Sequence, residues 1–463
     1  MQTRKELIHT ALTIAGSDSG GGAGIAADLK TFAALGVHGL VVITAVTAQN
    51  TKEVKAIYDL PADLVVKQIE TVAEDIGIDA AKTGMLSNSA IVSAVAKTLS
   101  RYDIPLVVDP VFKAKGGAYL LRPEAIDVLK RRLIPIATIV TPNRMEAEIL
   151  SGIKIRTIDD ARRAAKYIVE SLGANAALVK GGHINGEYSV DVLYYNGSFK
   201  EYSKPRLENA CTHGAGCSFS AAITAELAKG KNLEDAINTA KEFIFLAIRH
   251  GLRIGKGFCP VNPMAWLELP AERYIVIEEL KKGLDLLMKY DRLFAPFIPE
   301  VYTNLVMALP KKYVHNINDV AGILGRIARI GKTIKPVGPV AFGASSHVAR
   351  AVIKIMDYDP TIRSAMNLRY DVRLVEAAKK LDLKVSYYDR REEPPEIKRK
   401  EGATIPWGIE QAVKRIGTVP DVVYHLGDWG KEPMILIFGK DPIDVVRKAL
   451  RIIRIALGLK EIH

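Results

Sequence analysis

From Thr10 to about Gly251, short β-branched runs alternate with longer stretches whose apolar residues recur at helical spacing. The short runs predict strands and the longer stretches predict amphipathic helices. This order is typical of a mostly parallel sheet with helices on both faces, so we expect an α/β fold. The predicted strands are Thr10–Ala15, Leu40–Ala48, Ala80–Thr83, Leu106–Asp109, Thr138–Thr141 and Ala176–Lys180, and the predicted helices include Ala23–Leu35, Ala62–Ile76 and Arg122–Leu133.

In open sheets of this kind, ligands bind beyond the carboxyl ends of the strands. The polar and glycine-rich segments of this chain follow the predicted strands, so we expect a site at that edge of the sheet. These segments are Gly16–Gly24, Gln49–Asn50, Asp109–Pro110, Pro142–Glu146 and Gly181–His183.

A second domain is expected because 463 residues exceed what one hydrophobic core usually organises. Residues 255–272 contain three prolines and interrupt the periodicity, which predicts domains at 1–267 and 272–463. The second domain again alternates, which predicts another α/β fold. Its predicted helices are Ala271–Lys289, Asp319–Ile330, Ser346–Met356, Tyr370–Leu381 and Pro442–Ala456, and its apolar runs are Val301–Leu309, Val337–Phe342, Lys384–Tyr388, Val422–Tyr424 and Met434–Phe438.

The net charge of +12 is concentrated in residues 271–463, which carry +9. The basic residues are scattered, and the sequence has no zinc-finger or RNA-binding motif, so small phosphorylated metabolites are favoured over nucleic acid as partners. No apolar run reaches the ~20 residues of a membrane span, and we expect a cytoplasmic protein. The three cysteines, Cys211, Cys217 and Cys259, are expected to be reduced thiols.

Two glycine segments could bind a phosphoryl group. The first, Ala15–Gly24, lies between a predicted strand and a predicted helix, although a simple tight turn would have the same composition. The second, Asn209–Ser218, places Gly214, Ala215 and Gly216 before a long helix, where free N–H groups and the helix dipole favour anions. At such a helix start the pKa of Cys217 is expected to fall.

The segments AGSDSGGGAGIAADLKTFAALG, VITAVTAQNT, KTGML, VVDPV, TPNRMEAEIL, VKGGH and THGAGCSFSAAI occur in this order. Over residues 8–265 the chain thereby resembles the hydroxymethylpyrimidine and hydroxymethylpyrimidine-phosphate kinases, a ribokinase-like family. The resemblance implies ATP as a substrate, Mg²⁺ as a cofactor and an aminopyrimidine alcohol as the acceptor. Cys217 stands where many ribokinase-like enzymes have an aspartate base, which favours this acceptor over pyridoxal or a sugar.

The resemblance also implies roles for individual residues. Without it, Asp28 could be a solvated helix carboxylate, Gln49 a loop amide and Met85 a core residue. Ala215 departs from the threonine usual in the family, a change that a backbone anion hole should tolerate. The implied set is Gly16, Asp28, Gln49 and Met85 for the pyrimidine, Asp109 and Glu146 for Mg²⁺, Asn143, Thr212, Gly214, Ala215 and Gly216 for ATP and the anion hole, and Lys180 with Cys217 for catalysis.

Residues 272–463 resemble the archaeal ThiN-type thiamine-phosphate synthase domain through YDRREEPPEIKRKEGATIPWG and GDWGKEPMILIFGK. The resemblance implies a three-layer α/β/α fold similar to class II aldolases, a thiazole phosphate as second substrate, and Arg326 and His347 as catalytic residues. From the residues alone, Arg326 would be a surface charge on a predicted amphipathic helix and His347 a capping or core residue. The alternative function is a ligand-sensing domain that regulates the kinase. We also expect a homo-oligomer.

Overall fold

The computed structural model describes residues 8–182 and 186–459, and the chain divides into two compact units, Met1–Glu268 and Leu269–His463. His183, at the end of one predicted ligand segment, lies outside the described residues. The predicted junction is only partly irregular, because a helix begins at Ala265 and continues through Pro270. Within the described ranges, no helix is both long and apolar enough to cross a bilayer.

The first unit is built on an eight-stranded sheet with the order β10-β9-β8-β7-β6-β5-β1-β2. The six strands from β2 to β8 in this order are parallel, and β9 and β10 are antiparallel at one edge. β3 and β4 form a separate antiparallel ribbon. The strands are β1 (Thr10–Ala15), β2 (His38–Ile43), β3 (Ala45–Gln49), β4 (Val54–Asp59), β5 (Ala80–Thr83), β6 (Leu106–Val108), β7 (Ile139–Val140), β8 (Ala176–Val179), β9 (Tyr188–Tyr195) and β10 (Ser198–Pro205).

Helices bury both faces of this sheet. In β1 every residue is buried, and alternate side chains enter different cores: Leu12 and Ile14 join one cluster, and Ala11 joins the other. The mostly parallel α/β sheet predicted for this unit is therefore confirmed. The helices are α1 (Gly24–Ala34), α2 (Ala62–Asp75), α3 (Ser89–Leu99), α4 (Pro123–Val128), α5 (Arg144–Ser151), α6 (Ile158–Glu170), α7 (Ala215–Ala228) and α8 (Leu233–Arg249).

The second unit is α/β with a seven-stranded sheet in the order β15-β12-β11-β16-β19-β18-β17. Only β17 and β18 pair in parallel among its described strands. β13 and β14 form a separate hairpin. The elements are α9 (Ala265–Met288), α10 (Asp291–Phe294), β11 (Leu305–Ala308), β12 (Val320–Ile323), β13 (Ile327–Ile330), β14 (Thr333–Pro336), β15 (Val340–Phe342), α11 (His347–Ile355), β16 (Ser364–Arg369), α12 (Val372–Lys380), β17 (Val385–Tyr387), α13 (Pro395–Arg399), α14 (Thr404–Ile416), β18 (Val422–His425), β19 (Met434–Gly439) and α15 (Pro442–Ala456).

Both faces of the second sheet are also buried. Val306 of β11 packs in one cluster with residues of α11 and α14. Its neighbour Leu305 faces the other side, where its side chain lies near Gly283 of α9. Successive strand residues therefore point to opposite faces of the sheet.

The predicted helix Asp319–Ile330 is wrong. This segment forms β12 and β13, and Arg326 lies in the turn between them with a left-handed φ of 72°. All four residues of β12 are buried, and a short apolar run of this kind has no period that separates a buried strand from a helix. The predicted strand Leu40–Ala48 is likewise divided, because the chain leaves the main sheet at Thr44 and enters the β3–β4 ribbon.

Candidate active sites

The two predicted glycine segments meet in the first unit, where Asp18 joins them. Its carboxylate accepts hydrogen bonds from the backbone N–H groups of Gly20, Gly22 and Ala23 at 2.8, 3.1 and 2.8 Å. His213 Nε2 lies 3.0 Å from the same carboxylate, across 195 residues of sequence. Burial raises the pKa of Asp18, but the bonds from His213 and the backbone outweigh that effect and lower it. Sequence reasoning missed Asp18, although an aspartate inside a glycine turn was a signal.

The backbone of the first glycine segment approaches Gly214 so closely that a side chain would not fit there. Its φ is +75°, and a Cβ there would lie 1.8 Å from the carbonyl oxygen of Gly22. The two backbones therefore touch. Because α7 begins at Ala215, this contact places the free N–H groups of the helix start beside the Gly16–Gly24 turn.

Cys217, in the first turn of α7, is the free cysteine among the described residues. Burial raises the pKa of its thiol to about 12, although the Lys82 charge and the Gly24 N–H oppose the rise. The predicted fall in the pKa of Cys217 is therefore wrong. Removal of the thiolate from water outweighs the attraction of the helix start.

Lys82 and Asp28 form a fully buried ion pair of 2.7 Å close to Cys217. Thr13 Oγ1 donates to the other Asp28 oxygen at 2.6 Å, so both carboxylate oxygens are occupied within the protein. Burial alone would lower the pKa of Lys82, but Asp28, Cys217 and Asp109 together raise it. Asp28, predicted to contact the pyrimidine, therefore holds Lys82. Lys82 was missed, although a lysine inside an apolar strand was a signal.

Lys180 and the two predicted metal carboxylates form a second cluster. Lys180 Nζ lies 2.9 Å from Asp109 Oδ1, and a Cβ on Gly216 would lie 3.4 Å from that nitrogen. Burial raises the pKa of Glu146 to about 8, with Lys180 opposing and Asp109 reinforcing the rise. Lys180, Asp109 and Glu146 are therefore brought together beside the start of α7.

Asn143 and Thr212, predicted to contact ATP, have partners within the protein. Asn143 caps α5: its Oδ1 accepts from Glu146 N at 3.0 Å, and its N–H donates to Glu146 Oε2 at 2.7 Å. Thr212 Oγ1 accepts a hydrogen bond from Lys115 Nζ. The Asn143 bonds hold the Glu146 carboxylate in place.

Three predicted pyrimidine contacts lie around the first glycine segment. A Cβ on Gly16 would lie 2.8 Å from Met85 Sδ, so these two residues touch. Gln49 ends β3, and its backbone N–H donates to Ser19 Oγ at 2.8 Å. Gly16, Met85 and Gln49 therefore adjoin one segment, while Asp28 is buried with Lys82.

The prediction that all three cysteines are reduced is wrong for two of them. Cys211 and Cys259, 48 residues apart, form a disulfide. The backbone pairs beside it, because His213 N donates to the Cys259 carbonyl at 3.1 Å and Val261 N donates to the His213 carbonyl at 3.0 Å. The spacing of the cysteines in the sequence does not predict this pairing, because the two cysteines lie in distant loops that come together only in the folded chain.

In the second unit, Arg326 and His347 lie within one cluster of cations. His347 begins α11, and the Arg326 guanidinium donates to the carbonyl oxygen of Val301. Partial burial lowers the pKa of His347, and the charges of Arg350, Arg326, Lys431 and Arg390 lower it further. A cluster of several cations is suited to binding a polyanion.

Comparison with solved structures gives the class of the first unit. The ADP complex of Bacillus subtilis pyridoxal kinase is 41% identical, covers 56% of this chain and 98% of its own, and superposes with a TM-score of 0.53. Staphylococcus aureus pyridoxal kinase with pyridoxal is 37% identical over 57% of this chain and 96% of its own, with a TM-score of 0.53. The first unit is therefore a ribokinase-like α/β domain.

Residues 18–262 match the family model described as phosphomethylpyrimidine kinase, and residues 279–451 match that of the thiamine-phosphate synthase ThiN. The hydroxymethylpyrimidine/phosphomethylpyrimidine kinase of Bacillus subtilis is 46% identical over 56% of this chain and 96% of its own length. The thiamine biosynthesis bifunctional protein ThiED of Geobacter sulfurreducens is 47% identical over 54% of this chain and 51% of its own. The chain belongs to the phosphomethylpyrimidine kinase family and carries a ThiN domain, which makes it a multifunctional enzyme of thiamine biosynthesis.

Proposed function

We propose that the first unit uses ATP to phosphorylate 4-amino-5-hydroxymethyl-2-methylpyrimidine and then its monophosphate. The second unit joins the resulting diphosphate to 4-methyl-5-(2-phosphoethyl)thiazole, which yields thiamine phosphate and pyrophosphate. The observation that carries the kinase assignment is the convergence of the α7 start, Lys180 and Asp109 beside the Gly16–Met85 contact. We assign the kinase activity to residues 1–267 and the synthase activity to residues 272–463.

In the kinase reaction, the substrate oxygen forms a bond to the γ-phosphorus of ATP as the bond to the β-phosphate oxygen breaks. The N–H groups of Gly216 and Cys217 stabilise the transferring phosphoryl group, and Lys180 neutralises its developing charge. The Ala215 N–H instead donates to the Thr212 carbonyl at 3.2 Å. Cys217 accepts the alcohol proton. Since its pKa is about 12 in the free chain, the reactive thiolate is a minor form at neutral pH.

Asp109 and Glu146 fit Mg²⁺ as a pair of carboxylates. Mg²⁺ usually takes one or two protein carboxylates together with substrate phosphates and water. Bound there, the ion would offset charge on the ATP phosphates, while Lys180 holds Asp109 in place.

In the condensation, the bond from the pyrimidine methylene carbon to the diphosphate oxygen breaks, and both electrons leave with the diphosphate. The thiazole nitrogen then forms a bond to that carbon without losing a proton, so no strong base is needed. Arg326 donates to the departing anion, and neutral His347 adds an N–H donor. We further propose that this unit is a three-layer α/β/α domain similar to class II aldolases, supported by the burial of both sheet faces.

A single incubation tests both activities. Purified full-length chain is given Mg-ATP, the pyrimidine alcohol and the thiazole phosphate, and products are separated by chromatography. We expect thiamine phosphate. Phosphorylation of pyridoxal but not of the pyrimidine would contradict the substrate assignment, and accumulation of the pyrimidine diphosphate without thiamine phosphate would favour a regulatory second unit.

A further inference from the structure

Three buried polar atoms lie close together in the second unit without a hydrogen-bond partner in the described residues. They are the Tyr388 hydroxyl, Arg390 Nε and Glu393 Oε2. Tyr388 is 1% exposed and Glu393 is 6% exposed. Buried polar atoms in native proteins are nearly always paired. Glu393 Oε2 faces the Arg390 guanidinium, whereas the Tyr388 hydroxyl and Arg390 Nε are donors whose missing acceptors an anionic ligand would supply.

Arg390 has a charge partner but retains one unused donor, Nε. Its Nη2 lies 3.7 Å from Glu393 Oε2, which is an ion-pair distance but too long for a hydrogen bond. Glu393 is itself fixed, because its Oε1 accepts from Thr404 Oγ1 at 2.5 Å. Glu393 therefore holds the guanidinium electrostatically, and the Arg390 Nε–H has no acceptor among the described residues.

The Arg390 charge reaches the cation cluster around His347. After burial, Arg390 is the second cause that lowers the pKa of His425 to about 4, and it is one of the four cations that lower the pKa of His347. Lys398 Nζ lies 2.6 Å from Asp428 Oδ2 and lowers the pKa of that carboxyl, and the Arg390 charge lowers it further. Lys398 therefore neutralises Asp428, one of the carboxylates near Arg390.

We propose that Arg390, held by Glu393, is a further catalytic residue of the second unit and binds the diphosphate of the pyrimidine substrate together with Arg326 and His347. The inference rests on the proposed synthase function. A guanidinium presents donors in a fixed fork that matches two phosphate oxygens. Arg390 thereby stabilises the electron pair that stays on the diphosphate when its bond to the methylene carbon breaks.

Pyrophosphate binding tests this proposal without turnover. The full-length chain is saturated with Mg-AMP-PCP to fill the kinase site, and pyrophosphate is titrated by calorimetry. Arg390→Gln is expected to raise the pyrophosphate Kd by about tenfold or more. The matched control is Arg391→Gln, because Arg391 is the next residue but its side chain is 80% exposed and paired with Asp389; its Kd should stay within about twofold of wild type.

Equal pyrophosphate Kd values for Arg390→Gln, Arg391→Gln and wild type would overturn the proposal. If Arg390→Gln does not fold, Arg390→Lys decides, because lysine keeps the charge but loses the fork. We expect its Kd to rise about threefold or more, and a wild-type Kd would overturn the proposal. Failure of the synthase function is separately visible: the chain would make no thiamine phosphate while its pyrophosphate binding still depended on Arg390.

Discussion

Lys82 Nζ and Asp28 Oδ1 lie 2.7 Å apart, and neither side chain is exposed to solvent. Lys82→Met would leave the Asp28 carboxylate buried and unpaired, so we expect the free energy of unfolding of the first unit to fall by about 3–5 kcal/mol. Calorimetric melting measures the loss. Lys67→Met, at a lysine with 72% side-chain exposure, is the control and should change it by less than about 0.5 kcal/mol.

Adding Asp28→Asn to Lys82→Met removes the unpaired charge and should recover part of the lost stability. If the single and double variants were equally unstable, the damage would come from packing and not from the ion pair.

Cys217→Ala should lower kinase kcat by about 100-fold, because the proton acceptor is lost. In the wild-type chain the thiol pKa is raised to about 12, so the thiolate fraction and kcat should rise from pH 6.5 to 9. Stopped assays across this range measure the slope. Cys217→Ala should flatten it, and a variant with wild-type kcat would show that the backbone anion hole suffices.

The protonation of Glu146 is expected to make the Mg²⁺ affinity of the first unit depend on pH. Its pKa of about 8 lies above the ordinary value, so the folded chain prefers the protonated form and loses that preference as pH rises through 8. If Glu146 helps to hold Mg²⁺, the metal must displace this proton. Apparent Mg²⁺ affinity should then increase by up to about tenfold per pH unit between pH 6 and 8.

Glu146→Gln is the matched test of that pH dependence, because the amide keeps the shape and loses the titration. Its Mg²⁺ affinity, measured from the metal dependence of kinase rate with the ATP concentration fixed, should be low and vary with pH only as ATP itself does. An unchanged slope would assign the effect to ATP alone.

Arg326→Ala or His347→Ala should make the pyrimidine diphosphate accumulate while kinase rates stay near wild type. We expect thiamine phosphate formation to fall by about 10²–10³-fold, comparable to removing an oxyanion donor. Arg329→Ala is the control, since this exposed arginine lies in β13, which follows Arg326 directly, and bonds only to the carbonyl of Gly331 among the described residues. Loss of both activities would identify a folding defect.

Thiol titration of the denatured, unreduced chain checks the disulfide. One reactive thiol, Cys217, is expected, whereas three would show that Cys211 and Cys259 are reduced. Adding a reductant before denaturation should bring the count to three.

The sequence predicts the elements of this protein well where pattern and chemistry agree. β1 begins and ends where its run of apolar and β-branched residues does, because a strand buried on both faces has few polar positions. The helix predicted around Arg326 is wrong because the apolar run Val320–Ile323 is buried on both faces and has no polar positions to show whether its period is that of a strand or a helix. Local pattern therefore identifies elements but does not distinguish every strand from a helix.

The site residues that the sequence predicts are likewise those that local sequence determines. The glycine segments and Lys180 were identified because backbone phosphate binding requires a particular local sequence. Lys82, Asp18 and the disulfide were missed because each depends on a partner that is distant in sequence. The pKa of Cys217 was predicted in the wrong direction because the extent of its burial is a property of the folded chain.

The bond between Cys211 and Cys259 also makes part of the first unit a covalent ring. The ring contains α7 and α8, and therefore the helix start proposed to receive the phosphoryl group. A protease cut at a single peptide bond between these cysteines would open the ring without releasing a fragment. On a denaturing gel the nicked chain would migrate as one species until a reductant separated it into two.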